Sequence, residues 1–134
     1  MRKNHALVQK ILLPSSTSLK ALSMQMKQYE IWLADLNPVH GTEPGKVRPV
    51  VVVQTDLLNG LHKSTLICPV TSAVIPGMNL LRIHLRKNQL DLPSDVLIDQ
   101  LRAIDNKRFI SKLGKLNKEQ IHALKENIKN ILDL

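Results

Sequence analysis

Four consecutive valines, Val50-Val51-Val52-Val53, follow Arg48-Pro49, and no other stretch limits the possible folds of this chain so strongly. β-Branched side chains lose rotamers in a helix and pack well on a pleated sheet. A run that is apolar at every position, not every second one, belongs to a strand covered on both faces. Just upstream lies Pro38-Val39-His40-Gly41-Thr42-Glu43-Pro44-Gly45, rich in residues that end strands. Arg48 is therefore held at a loop–strand junction, where it can face a ligand without entering the core. Its guanidinium is always charged, and its planar fork matches phosphate oxygens. Glu43 precedes it in the loop and Thr71 closes a later apolar stretch. The arrangement predicts a site for a phosphodiester.

The chain has 134 residues, enough for one domain with a buried core and no disulfide. Its single cysteine, Cys68, lies in the apolar stretch Leu66-Ile67-Cys68-Pro69-Val70 and reads as a small core residue. Such cysteine usage points to the cytoplasm. No apolar run is long enough to span a bilayer, so no membrane is expected among the partners. The formal charge is +8. Arg2, Lys3, Lys10 and Lys20 stand before residue 24 with no acidic residue among them, so the remainder is only mildly basic. That balance suits contact with a few phosphates and not the coating of a duplex. Tyr29, Trp32 and Phe109 are the only aromatic side chains, too few for a broad base-stacking platform.

The composition divides the chain near residue 25. Residues 1–25 read as an extension, dispensable or translated from too early a start, and residues 26–134 as the domain. Gln9 and Lys10 interrupt the apolar part of the extension, which argues against a signal peptide. Met24 and Met26 are alternative starts.

Beyond Tyr29, strands are expected over Glu30–Leu36, Val47–Gln54, Ser64–Val70, Leu80–Arg86, Asp95–Gln100 and Arg102–Asp105, with a short helix or turn over Asp56–Leu61. In Leu80–Arg86, Leu81, Ile83 and Leu85 alternate with Arg82, His84 and Arg86, which predicts a core face and a solvated one. Many short strands without long helices between them predict a mainly β fold, a small β-barrel. One helix follows. Asn117 is suited to cap it, Gln120 to reciprocate, and Ile121, Leu124, Ile128, Ile131 and Leu132 form an apolar stripe for packing on the barrel.

Asp35-Leu36-Asn37-Pro38, Gly41-Thr42-Glu43, Gly45, Arg48-Pro49-Val50-Val51-Val52, Pro69-Val70-Thr71-Ser72 and Asp99-Gln100-Leu101-Arg102-Ala103-Ile104-Asp105 occur in this order. The ordered set, from about Lys27 to the C-terminus, resembles the MazF/PemK toxins of type II toxin–antitoxin modules. The resemblance implies an SH3-like barrel with a C-terminal α-helix. It also implies a homodimeric, sequence-selective endoribonuclease that cuts single-stranded RNA without metal or other cofactor and is restrained by a cognate acidic antitoxin. By the same resemblance, Arg48 and Thr71 lie at the scissile phosphate.

Those residue types suit the chemistry. Cleavage through the 2′-hydroxyl needs that group deprotonated, charge on the phosphoryl oxygens stabilised and the 5′-oxygen relieved. Arg48 offers charge and paired donors, and Thr71 a hydroxyl hydrogen bond. Glu43 and Asp99 are the carboxylates on offer as a base, or as partners of Arg48 or of a nucleobase edge. His40, Ser72, Gln100 and Arg102 are further candidates for catalysis or RNA contact. Some family members carry an arginine two residues before the Asp-Gln aspartate and a histidine directly before the loop glutamate. Here those positions are Leu97 and Thr42, which places the chain in an Arg-plus-Thr branch. Two other readings stay open at this level: a gyrase-poisoning toxin on the same barrel, and a barrel without activity that only binds RNA or an antitoxin.

Overall fold

The computed structural model describes residues 25–37 and 46–134. Its strands are β1 (Glu30–Asp35), β2 (Val47–Val52), β3 (Ser64–Thr71), β4 (Arg82–Leu85), β5 (Ser94–Leu97), β6 (Arg102–Asp105) and β7 (Phe109–Lys115), and one helix, α1 (Lys118–Leu132), follows them. The pairings are antiparallel in the order β4-β5-β3-β2-β1-β7, with β6 also on β3. β3 changes partner along one edge, from β6 at Ser64–Ile67 to β5 at Val70–Thr71. The sheet curls as it does so, into a half-barrel closed by the helix. The expected mainly β barrel fold with a C-terminal helix is thus present.

Each face of the sheet carries its own core. Ile31, Val51 and Cys68 are cross-strand neighbours on one face, as are Val70, Val96 and Ile83. Leu124 and the half-buried Ile121 and Ile128 of α1 pack over them. On the other face Trp32, Val50, Val52, Ile67, Ile104 and Phe109 form a second cluster. Val50, Val51 and Val52 have no exposed surface, as the valine run requires of a strand covered on both faces. Trp32 meets Phe109 edge-on at 5.9 Å, and its indole N–H donates to Glu30.

The helix begins as the capping pattern predicts. The Asn117 side chain accepts from the Gln120 backbone N–H, and the Gln120 side chain accepts from that of Asn117. Such a reciprocal cap satisfies two of the orphan donors of a first turn. The apolar stripe outruns the sheet, however: Ile131 and Leu132 are exposed. Two other features differ from the sequence reading, and one follows it. The segment Asp95–Gln100 is not one strand, because β5 ends at Leu97 and Ile98–Gln100 coils into a 3-10 turn, letting the chain move from one end of β3 to the other. Asp56–Leu61 forms turns, one of the two forms expected for it, stitched by the buried pair Gln54 and Asn59. The strand β7 was not expected; among the described residues it pairs with β1 alone and is largely exposed, so it shows no apolar pattern.

Candidate active site

The pairing registers set the predicted site residues in one row. Arg48 on β2 lies opposite Ala34, and Val50 lies opposite Pro69 on β3. Continuing the second register by two residues sets Arg48 opposite Thr71. The β2–β3 ladder ends at Val50 and Pro69. Proline has no N–H to donate, so Pro49 and Pro69 leave this end of the two strands free to part. Thr71 in turn pairs with Asp95 on β5, and Asp95 with His84 on β4. Cross-strand partners share a face. Thr71, Asp95 and His84 therefore stand side by side on one face, and Arg48, two residues from Val50 along β2, belongs to the same face by strand alternation.

Each member is held differently. Arg48 is half-buried. Among the described residues, no hydrogen bond or ion pair engages its guanidinium. The Thr71 hydroxyl oxygen accepts from the Ala73 N–H at 3.1 Å, which fixes the side chain in the turn after β3 and leaves its own hydrogen to donate. Asp95 has no exposed side-chain surface. One of its carboxylate oxygens accepts from the Ile75 N–H and from Arg82, both at 3.0 Å, and the other from His84 Nδ1 at 2.6 Å. Burial opposes its charge, but these donors outweigh it and hold the Asp95 carboxyl below the usual carboxylate range. Arg82 also donates to the Ala73 carbonyl at 2.8 Å. The residue after the Thr71 turn's bend is thus fixed through both its N–H and its C=O.

The expected solvated face of β4 is corrected here. Ile83 and Leu85 are buried as predicted, but Leu81 is exposed, and Arg82 and His84 both serve the buried Asp95. Neither Asp95 nor this role of His84 was foreseen.

The remaining candidates are not in the row. Asp99 and Gln100 are exposed in the 3-10 turn that links β5 to β6. Arg102 opens β6 opposite Ile67. Ser72 is exposed beside Thr71. His40 and Glu43 lie outside the described residues. The Cys68 thiol is fully buried; burial first, and the nearby Asp99 charge second, push it up to about 12, which makes it a core residue and no nucleophile. Among the described residues no group of three or more His, Cys, Asp or Glu side chains could hold a metal ion.

Residues 27–132 match the family described as PemK-like, MazF-like toxin of type II toxin–antitoxin system. The chain belongs to this family. It is 34% identical over 100 residues to Endoribonuclease MazF of Staphylococcus epidermidis, covering 72% of this chain and 82% of the relative. Among solved structures it resembles the toxin MazF-mt6 of Mycobacterium tuberculosis, with a TM-score of 0.66 and 25% identity over 78% of this chain and 97% of the other. It also resembles MazF of Deinococcus radiodurans, with a TM-score of 0.71 and 22% identity over 82% and 98% of the two chains. In the MazF-like frame, Arg48 and Thr71 are the residues that sequence motifs single out, while Asp95 and His84 emerge only from strand register.

Proposed function

We propose that this chain is the toxin of a type II toxin–antitoxin module and cuts single-stranded RNA, mRNA included, at selected sequences without a metal ion. The reading is carried by one observation: Arg48 and Thr71 lie at the same end of the paired strands β2 and β3, each two residues beyond the Val50–Pro69 pair. A guanidinium with no partner among the described residues can take two phosphoryl oxygens, and a threonine hydroxyl with a free hydrogen can take one. With the charge on the phosphoryl oxygens met by Arg48, no metal is called for, and the 2′-hydroxyl serves as internal nucleophile. Supporting it is the relative in Staphylococcus epidermidis, named an endoribonuclease.

The same reading assigns the partners. The Deinococcus radiodurans neighbour of similar fold was crystallised as a MazE–MazF complex. Here a cognate acidic antitoxin would neutralise the mildly basic surface around Arg48 and compete with RNA phosphates. The toxin works as a homodimer in the cytoplasm; Ile110, Leu113 and Leu66 give it exposed apolar surface for a second copy. No helix among the described residues is long and apolar enough to cross a membrane.

Purified protein incubated with a long single-stranded RNA in EDTA tests the reading. Discrete cuts are expected. Intact RNA together with trapped gyrase–DNA complexes would favour the gyrase-poisoning alternative, and binding without cuts would favour an inactive barrel.

A further inference from the structure

A hydroxyl hydrogen rotates to suit whatever lies near it, so a threonine that steadies a phosphoryl oxygen works best when its own oxygen is already held. We infer that Arg82 is the positioning residue for Thr71, acting on it through two peptide groups of the turn after β3. The inference rests on the ribonuclease reading and deepens it.

The connection is continuous. Arg82 Nη1 donates to the Ala73 carbonyl at 2.8 Å. The N–H of that same peptide group belongs to Val74 and donates to the Ser72 carbonyl at 3.0 Å. The N–H of the preceding peptide group belongs to Ala73 and donates to the Thr71 hydroxyl oxygen at 3.1 Å. Every bond in the series runs toward Thr71. A peptide group whose C=O accepts a hydrogen bond becomes a better N–H donor, so the bonds of such a chain strengthen one another. A charged donor at its head makes the first bond stronger than a neutral one would. The Thr71 oxygen receives the last bond. Its own O–H is then turned away from Ala73 and made more polar, which is what donation to an anionic oxygen requires.

The sheet sets Arg82 in place for this. On the β4–β5 ladder Arg82 pairs with Leu97 and His84 with Asp95, so Arg82 and Asp95 are diagonal neighbours on one face. Asp95 accepts from Arg82 Nη1 at 3.0 Å, and the arginine keeps only 15% of its side chain exposed. One nitrogen serves both contacts, so the buried carboxylate fixes the point from which the Ala73 carbonyl is held. Satisfying that carbonyl is not the purpose. Ala73 is exposed, and water would satisfy its C=O equally well. Water would not hold it in one direction. What the turn gains from Arg82 is orientation, and the group at the end of the chain that has a use for orientation is the Thr71 hydroxyl.

The test is a double-mutant comparison of RNA cleavage. Arg82→Met and Arg82→Lys are made in the wild type and in Thr71→Ala, and kcat and KM are measured below the melting temperature of every variant. Loss of one hydrogen bond's net worth predicts a fall of about 10-fold in kcat for Arg82→Met, smaller than the loss from Thr71→Ala, with KM nearly unchanged. Arg82→Lys returns a charged donor and should recover part of the rate. In Thr71→Ala there is no hydroxyl to position, so neither substitution should cost anything further. The Ala73 and Val74 amide proton resonances should also move upfield in Arg82→Met as their hydrogen bonds weaken. Equal losses with and without the Thr71 hydroxyl would make Arg82 a brace for the fold and overturn the inference alone, as would an undiminished rate in Arg82→Met. Should Arg82→Met not fold, Arg82→Lys carries the same comparison: a loss that disappears in Thr71→Ala supports the inference, and a loss that persists there, or no loss at all, overturns it. A wild-type protein that cuts no RNA overturns the ribonuclease reading, and the inference with it.

Discussion

Thr71 and Asp95 are direct partners across β3 and β5, the hydroxyl half-exposed and the carboxylate fully buried. The buried member holds the exposed one indirectly: Asp95 binds Ile75 and Arg82, and Arg82 binds the Ala73 carbonyl, while Thr71 binds the Ala73 N–H. Folding energy and site geometry therefore meet in one carboxylate.

Removing that carboxylate should destabilise the protein. Asp95→Ala leaves Arg82 and the Ile75 N–H without their partner, and breaking such a buried pair costs about 3–5 kcal/mol. Thermal unfolding should show a fall of about 12–20 °C, at roughly 4 °C per kcal/mol for a domain of this size. The pH dependence follows from the lowered pKa. A carboxyl depressed in the folded state contributes stability that is complete above its ordinary value, near 3.8, and is lost as pH falls through the folded value. Acid unfolding of the wild type should thus steepen below about pH 4, and Asp95→Asn should lack that component. An Asp95→Ala protein as stable as the wild type would refute the network's role.

Arg48→Ala should abolish cleavage while circular dichroism is unchanged, because the side chain is half-buried at a strand end and belongs to neither apolar core cluster. Arg48→Lys should not rescue it, since a point charge cannot reproduce the fork. Parental rates in either variant would contradict the assignment.

Thr71→Ala should lose about 10²–10³-fold in rate, the typical cost of one oxyanion donor. Thr71→Ser keeps the hydroxyl and the Ala73 contact and should retain part of the activity. Equal rates for serine and alanine at this position would show that the hydroxyl does not act on substrate.

A protein beginning at Met24 should fold and cleave like the full chain. The family match starts at residue 27, and Met26 is the first residue of the second core cluster. A drop of several degrees in melting temperature on removal of residues 1–23 would move the domain boundary upstream.

What the sequence disclosed followed from local pattern. The valine run carried its own burial, and Asn117 with Gln120 carried the helix start. Arg48 and Thr71 were legible because each sits at the end of an apolar run. Asp95 was not, because a lone aspartate inside a strand has no local mark. Its meaning comes from facing Thr71 on one side and His84 on the other, and register between strands far apart in sequence is written in no single segment. Alternation did reveal the polar face of β4, but not that a buried charge lay opposite. β7 escaped because a one-neighbour edge strand bearing Lys112, Gly114 and Lys115 shows little apolar signal.

The central claim is that Arg48 and Thr71 hold a phosphodiester under attack by its own 2′-hydroxyl. Mapping the termini of RNA cut by the purified protein in EDTA tests it most directly. The account predicts a 5′-hydroxyl on one fragment and a 2′,3′-cyclic phosphate on the other. Fragments with 5′-phosphates, or cleavage that appears only when magnesium is restored, would contradict it.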